Sequence, residues 1–156
     1  MAEATGFGAV ERVEATPVVA PRIRPAIQPA GAAGGGVRLL LRLEGVALLL
    51  IAMAAYARFG GEWSFFAWTF LLPDLALLAY LAGPRTGAAI YNATHSLVVP
   101  AVLLAVGLAA DLSPAFDLAL VWAAHIGLDR ALGFGLKYAR GFAHTHLGQL
   151  GPVDPW

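Results

Sequence analysis

Four ionisable side chains of this 156-residue chain could bind a metal ion or move a proton: Asp74, His95, His125 and Asp129. His125 and Asp129 are four residues apart, so on a helix they share one face. Carboxylate and imidazole groups on facing helices of a bundle suit Zn, Mn or Fe. The chain has no cysteine, which excludes disulfides, thiolate ligands and a cysteine nucleophile. The four residues are therefore the candidate metal site, and helices must bring them together.

The composition indicates a membrane protein. Apolar residues make up 59% of the chain and charged residues 13%, whereas soluble domains carry about 25% charged residues. The mean hydropathy is +0.71. The formal net charge is zero, so nothing attracts nucleic acid electrostatically. We therefore expect an integral membrane protein that contacts the lipid bilayer and has no nucleic-acid partner.

Four apolar stretches predict four transmembrane helices, at residues 39–57, 63–82, 87–110 and 115–134. Each is close to the roughly 20 residues that cross a bilayer. Residue pairs that contain glycine or proline mark the boundaries of these stretches, as at Gly83-Pro84 and Ser113-Pro114. The predicted fold is all-α: an integral membrane four-helix bundle at residues 37–134. An extended arm, residues 1–36, precedes it, and a short interfacial tail, residues 135–156, follows it.

Basic residues predict the orientation in the membrane. If the spans alternate in direction, six basic residues of the core and tail fall on one side: Arg38, Arg42, Arg85, Arg130, Lys137 and Arg140. Only Arg58 of that region falls on the other side. The positive-inside rule then places both termini in the cytoplasm. We expect a multi-pass protein of the bacterial inner (cytoplasmic) membrane.

The polar residues of the spans converge at one depth. At a rise of about 1.5 Å per residue, they lie about 6–14 Å from the cytoplasmic ends of their helices. Exposure to lipid would cost each group several kcal/mol, so they should face one another. Three further residues join the four candidate ligands as a predicted buried polar network: Glu44, Asn92 and Arg130. All four helices contribute to this layer.

Three interpretations of the polar layer remain open at this point. It could be a hydrogen-bonded ion-pair network that fixes helix register. It could hold a divalent metal, with Zn, Mn or Fe as candidates. It could also be a proton relay, or ligate a pigment through a histidine.

Several separate motifs resemble those of one family. They are RLEG at 42–45, PDL at 73–75, YLAGP at 80–84, YN at 91–92 with His95, AHIGLDR at 124–130, GLKY at 135–138 and THLG at 145–148. Together they resemble an uncharacterised family of small bacterial membrane proteins catalogued as domain of unknown function 4260. The resemblance covers about residues 38–151. It implies a fold and supplies no function.

A fainter resemblance points to chemistry. LLPD at 71–74, THS at 94–96 and the His-x-x-x-Asp of 125–129 are similar, in the same order, to motifs of the membrane-bound metal-dependent hydrolases. The resemblance implies Asp74, His95, His125 and Asp129 as metal ligands. That family's motif opens with a further histidine four residues before the threonine, where this chain has Ile90.

The sequence of the arm, residues 1–36, predicts a structural role rather than a chemical one. Prolines recur at every fourth position from Pro17 to Pro29, which forbids a helix and favours extended chain. The residues that would bind neighbouring subunits are Phe7, Val18, Val19, Arg22, Ile23, Arg24 and Ile27. The first functional prediction is therefore an accessory, non-catalytic structural subunit of a larger membrane complex, of photosynthetic or respiratory type. The alternative is a metal-dependent membrane hydrolase that uses the Asp/His cluster.

Overall fold

The computed structural model describes residues 31–151. Its helices are α1 (Gly35–Phe59), α2 (Trp63–Thr69), a 3₁₀ helix (Leu72–Ala82), α3 (Pro84–His95), α4 (Val98–Ala109) and α5 (Ser113–Leu132). Two short strands follow, β1 (His144–Thr145) and β2 (Gly148–Gln149). All seven residues predicted to bind partners through the arm lie outside the described residues.

The described chain is an all-α membrane bundle, as the sequence predicts. Three segments are long and apolar enough to cross a membrane: Gly35–Phe59, Trp63–Ala82 and Pro84–Ala109. The helix of the fourth predicted span, α5, lies at the centre of the bundle, and α1 and α4 pack against it. The 3₁₀ helix packs against α3. Because α5 is surrounded by other helices, it can carry Asp117, Asp129 and Arg130 without exposing them all to lipid.

The second and third spans are broken rather than continuous, which corrects the sequence prediction. Proline has no N–H, so Pro73 cannot donate to the carbonyl of Thr69, where α2 ends. Pro100 likewise cannot donate to the carbonyl of Ser96, beside the point where α3 ends. Irregular backbone at membrane depth is tolerated where it is buried in protein or lines a cavity. The two breaks therefore mark the part of the bundle where function is to be sought.

Two glycines let α1 and α5 approach closely. A Cβ atom added at Gly127 would lie 2.6 Å from the backbone nitrogen of Leu49. One added at Gly45 would lie 2.6 Å from the backbone nitrogen of Ala131. Small residues at crossing points are typical of membrane helices, where close packing drives association. This contact fixes the position of the half of α5 that carries His125 and Asp129.

An aromatic cluster packs the opposite end of the bundle. Tyr56, Leu120 and Val121 form a buried core there, and Phe66 meets Tyr56 edge to face with ring centroids 5.0 Å apart. The Tyr56 hydroxyl donates a hydrogen bond of 2.7 Å to the carbonyl oxygen of Glu62. Aromatic and aliphatic side chains thus form the core of this end of the bundle.

The tail folds back onto the end of the bundle where α1 begins and α5 ends. Strands β1 and β2 pair antiparallel, and the backbones of Lys137 and Thr145 pair in an isolated antiparallel β-bridge. Thr145 and Leu147 are fully buried. Gly135 is closely packed, since a Cβ there would meet the Nδ1 atom of His146 at 2.6 Å. The tail is thus a packed cap on this end of the bundle.

Candidate metal centre

The four candidate ligands meet in one cluster. The Nε2 atoms of His95 and His125 lie 3.3 Å apart. Oδ1 of Asp74 is 3.4 Å from Nε2 of His95 and 3.5 Å from Nε2 of His125. Oδ2 of Asp129 is 3.6 Å and 4.0 Å from the same two nitrogens. One ligand atom from each residue lies within 4.8 Å of all the others.

These separations fit a shared cation better than direct pairing. Charge-assisted hydrogen bonds between imidazole and carboxylate are about 2.7–2.9 Å long, and every aspartate–histidine distance in the cluster exceeds that range. Four ligands about 2.0–2.1 Å from a tetrahedral zinc ion lie about 3.3–3.4 Å from one another. The five separations that involve a histidine are 3.3–4.0 Å, at or above this tetrahedral spacing, so a cation bound among the four atoms would have room for a further ligand.

The broken helices place the ligands. Asp74 lies in the first turn of the 3₁₀ helix, directly after Pro73. His95 is the last residue of α3, and Ser96 after it is extended. His125 and Asp129 come from one face of the continuous helix α5. The sequence predicts which residues converge, but the positions of two of them depend on breaks that the sequence analysis missed.

Tyr91 holds two ligands in place. Nδ1 of His95 lies 3.0 Å from the carbonyl oxygen of Tyr91 and 2.9 Å from the hydroxyl of Thr94. The tautomer with the proton on Nδ1 would donate to that carbonyl oxygen, which can only accept, and would leave Nε2 free to bind a metal. The Tyr91 hydroxyl donates a 2.9 Å hydrogen bond to Oδ2 of Asp129, and its ring stacks on His95 with centroids 3.7 Å apart.

The cluster is closed on one side and open on the other. The side chains of His95 and His125 are 4% and 3% exposed, and Asp129 is mostly buried. The side chain of Asp74 is 36% exposed. A cavity of about 10 Å³ adjoins His95 and Asp129 beneath the tail, enough for about one water molecule. The site thus combines a buried face with one accessible ligand.

Lys137 of the tail lies next to the cluster. Asn92 pins its backbone: Oδ1 accepts a 2.6 Å hydrogen bond from the Lys137 N–H, and Nδ2 donates one of 2.8 Å to its carbonyl oxygen. The ammonium lies 3.9 Å from the ring centroid of Phe142 and 5.0 Å from that of Tyr91. Burial lowers the pKa of Lys137, while the charges of Asp129 and Asp74 act to raise it.

The predicted buried network of Glu44, Asn92 and Arg130 is only partly assembled. Glu44 is exposed, which corrects the prediction that it is buried. The reason is that Gly45 faces α5, and adjacent helical residues point about 100° apart. Arg130 is half-buried and lines the cavity beside Asp129. Asn92 bonds to the tail instead of to the other two residues.

Sequence reasoning missed Tyr91 and Lys137 as parts of the site. The signal for Tyr91 was present, since it lies four residues before His95 and so shares its helix face. No comparable signal existed for Lys137, because its place depends on the fold of the tail.

One protein-family model matches most of the chain. The model of a domain of unknown function (DUF4260) matches residues 38–150. Comparison with curated proteins and with solved structures found no match. The matched range includes all four candidate ligands, Tyr91 and Lys137.

Proposed function

The chain belongs to the DUF4260 family, a domain of unknown function, and we propose that it is a metal-dependent membrane hydrolase. The metal would be held by Asp74, His95, His125 and Asp129. One observation carries the proposal: four ligand atoms from three separate helices lie within 4.8 Å of one another, and the five separations that involve a histidine are 3.3–4.0 Å. A purely structural ion-pair network would be expected to close to hydrogen-bonding distances of about 2.7–2.9 Å.

The donor set favours catalysis over a structural role. Structural zinc sites use mainly cysteine thiolates, whereas catalytic zinc sites use histidine and carboxylate ligands with an open position. The chain has no cysteine. Its three most buried ligands, His95, His125 and Asp129, form a two-histidine, one-carboxylate set, which suits Zn, Mn or Fe. Broken membrane helices are also a common setting for ion sites.

The chain's own residues would have distinct tasks. A divalent ion here would lower the pKa of a water molecule to about 7 and so supply a nucleophile at neutral pH. Asp74 is the most exposed of the four ligands, so water and substrate would reach the metal on its side. The buried histidines keep bulk water from the other side, and Tyr91 fixes His95 and Asp129 in orientation.

An open coordination position can be detected with cobalt. We expect Co²⁺-loaded protein to change its visible absorption when azide is added, because the accessible side leaves a place for one more ligand. Asp74→Ala should bind azide more tightly than wild type, since it removes the ligand at that side. Asp117→Asn, at the far end of α5, is the matched control and should behave as wild type. A spectrum that saturating azide leaves unchanged would argue for a closed, structural metal site.

We propose that the protein lies in the bacterial inner membrane with both termini cytoplasmic. The lopsided distribution of Arg and Lys supports this orientation. Reporter fusions after Arg85 and after Trp156 should both read cytoplasmic. Periplasmic signals from both fusions would reverse the orientation, and a periplasmic signal from only one would contradict the four-span topology; neither result would affect the metal proposal.

The accessory-subunit function, with the arm bound to other membrane-protein subunits, stays a prediction. Its main support is the arm, whose partner-binding residues lie outside the described residues.

A further inference from the structure

The 3₁₀ helix that carries Asp74 has one lipid-facing row of side chains. A 3₁₀ helix has about 3.0 residues per turn, so every third residue shares a face. Pro73 and Ala76 are buried, and the row that begins at Asp74 is half-buried. The remaining row consists of leucines, whose exposed fractions rise from 39% to 89% along the helix: Leu72, Leu75, Leu78 and Leu81. Asp74 therefore lies between the buried face of this helix and an apolar outer surface.

Both ends of the bundle are filled next to the cluster. At the end that the tail covers, Thr145 and Leu147 are fully buried, and the cavity beneath the tail has room for about one water molecule. Towards the other end, the ring of Phe70 packs edge to face against His125 with centroids 5.3 Å apart. In the part of the chain that the structure describes, a molecule larger than water thus approaches the ligands from the side, at Asp74.

This side opening lies at the depth of the hydrocarbon layer. The stretch from Asp74 to Ala82, where the span ends, is about 16 Å long at the 3₁₀ rise of about 2.0 Å per residue. The hydrocarbon core of a bilayer is about 30 Å thick, so the opening is near its middle. Exposing a carboxylate there is costly, and such residues mark functional sites. The medium that meets the 36% exposed side chain of Asp74 is therefore lipid.

We propose that the substrate of the metal centre is a lipid with a long hydrocarbon chain, which enters from the bilayer past Asp74. This inference rests on the proposed metal-dependent hydrolase. The hydrocarbon chain would lie along the exposed leucine row, which offers no charged or hydrogen-bonding side chain. The polar group of the lipid would then reach the metal ion on the side of its most exposed ligand.

Two probes with the same metal-binding group and different chains test this route. Palmitoyl hydroxamate dissolves in the bilayer, and acetohydroxamate stays in water. Each is titrated into Co²⁺-loaded protein in phosphatidylcholine nanodiscs, and the visible absorption of the cobalt ion reports binding. We expect palmitoyl hydroxamate to change the spectrum in a saturable way, because its chain delivers the hydroxamate through the side opening.

The deciding variant is Leu75→Trp, which places a bulky ring beside Asp74 on the exposed row. The half-saturating mole fraction of palmitoyl hydroxamate should rise by about tenfold or more. Metal content and the response to azide should stay as in wild type, since Leu75 is not a ligand and azide is small. Leu81→Trp is the matched control, because it makes the same change in the same row near the end of the helix. It should bind palmitoyl hydroxamate as wild type does.

Two results would overturn the lipid inference and leave the hydrolase standing. A spectrum that acetohydroxamate changes and palmitoyl hydroxamate does not would show that the site opens to water. Equal half-saturation in wild type and Leu75→Trp would show that the hydrocarbon chain does not pass this row. Leu78→Trp takes the place of Leu75→Trp if that variant loses its response to azide. A cobalt spectrum of the wild type that neither azide nor either hydroxamate changes would remove both proposals together.

Discussion

We expect His125→Ala to abolish metal binding: purified wild-type protein should hold about one divalent ion per chain, and the variant should hold close to none. His125 is buried in α5, and its Nε2 atom lies 3.3–4.0 Å from the other three ligand atoms. Removing it leaves three ligands and a void where the fourth should be. Loss of a partner that only orients a ligand typically costs 10–100-fold in metal affinity, so loss of a ligand should cost more than about 100-fold. Elemental analysis after dialysis measures the result.

The matched control for this variant is His146→Ala. His146 is also part-buried, but its Nδ1 atom accepts a hydrogen bond from the Leu136 N–H, and it lies outside the cluster. This variant should keep its metal. Circular dichroism and gel filtration of both variants separate loss of metal from loss of fold, and His125→Gln replaces the alanine variant if that one does not fold. Equal metal content in wild type and the His125 variants would reject the proposed ligand set.

The second large effect is expected at the crossing of α1 and α5. Gly127→Leu should destabilise the bundle by about 3 kcal/mol or more, at or above the top of the usual range for overpacking. Even one added carbon would lie 2.6 Å from the backbone nitrogen of Leu49 and 2.9 Å from the carbonyl oxygen of Gly45. Backbone atoms cannot rotate away as a flexible side chain can, so the two helices must separate. Denaturation by SDS, followed by circular dichroism, measures the loss.

The same variant should lose metal, because Gly127 lies two residues from both His125 and Asp129. A displaced α5 carries both ligands away from Asp74 and His95. Gly36→Leu is the control. Gly36 lies near the start of α1, and a Cβ atom added there would have nothing within 4 Å. It should change neither stability nor metal content. Wild-type stability in Gly127→Leu would mean that the two helices do not cross at this position.

The convergence of Asp74, His95, His125 and Asp129 could be predicted because two simple constraints act together. The helical rise sets the depth of each residue, and the cost of exposing a charge to lipid turns it towards the bundle. Neither constraint needs the tertiary structure. The four-residue spacing of His125 and Asp129 also puts these two side chains on one helix face. The structure brings all four residues together.

Other parts of the site could not be found in this way. Pro73 and Pro100 were visible in the sequence, but proline is tolerated in many membrane helices, so its presence alone did not establish the breaks. Glu44 has the right depth but the wrong face, because Gly45 takes the contact with α5. Asn92 and Lys137 are 45 residues apart, and their pairing depends on how the tail folds, which depth and helical period do not determine.

X-ray absorption at the zinc edge of zinc-loaded wild-type protein tests the metal centre most directly. We predict a first shell of four or five nitrogen and oxygen atoms at about 2.0–2.2 Å, with the outer-shell scattering that two imidazole rings produce. The same spectrum should lose part of its imidazole scattering in any variant of His95 that still retains zinc. A wild-type protein that binds no zinc, or one whose bound zinc shows only a shell of six water oxygens and no imidazole, would contradict the proposed centre.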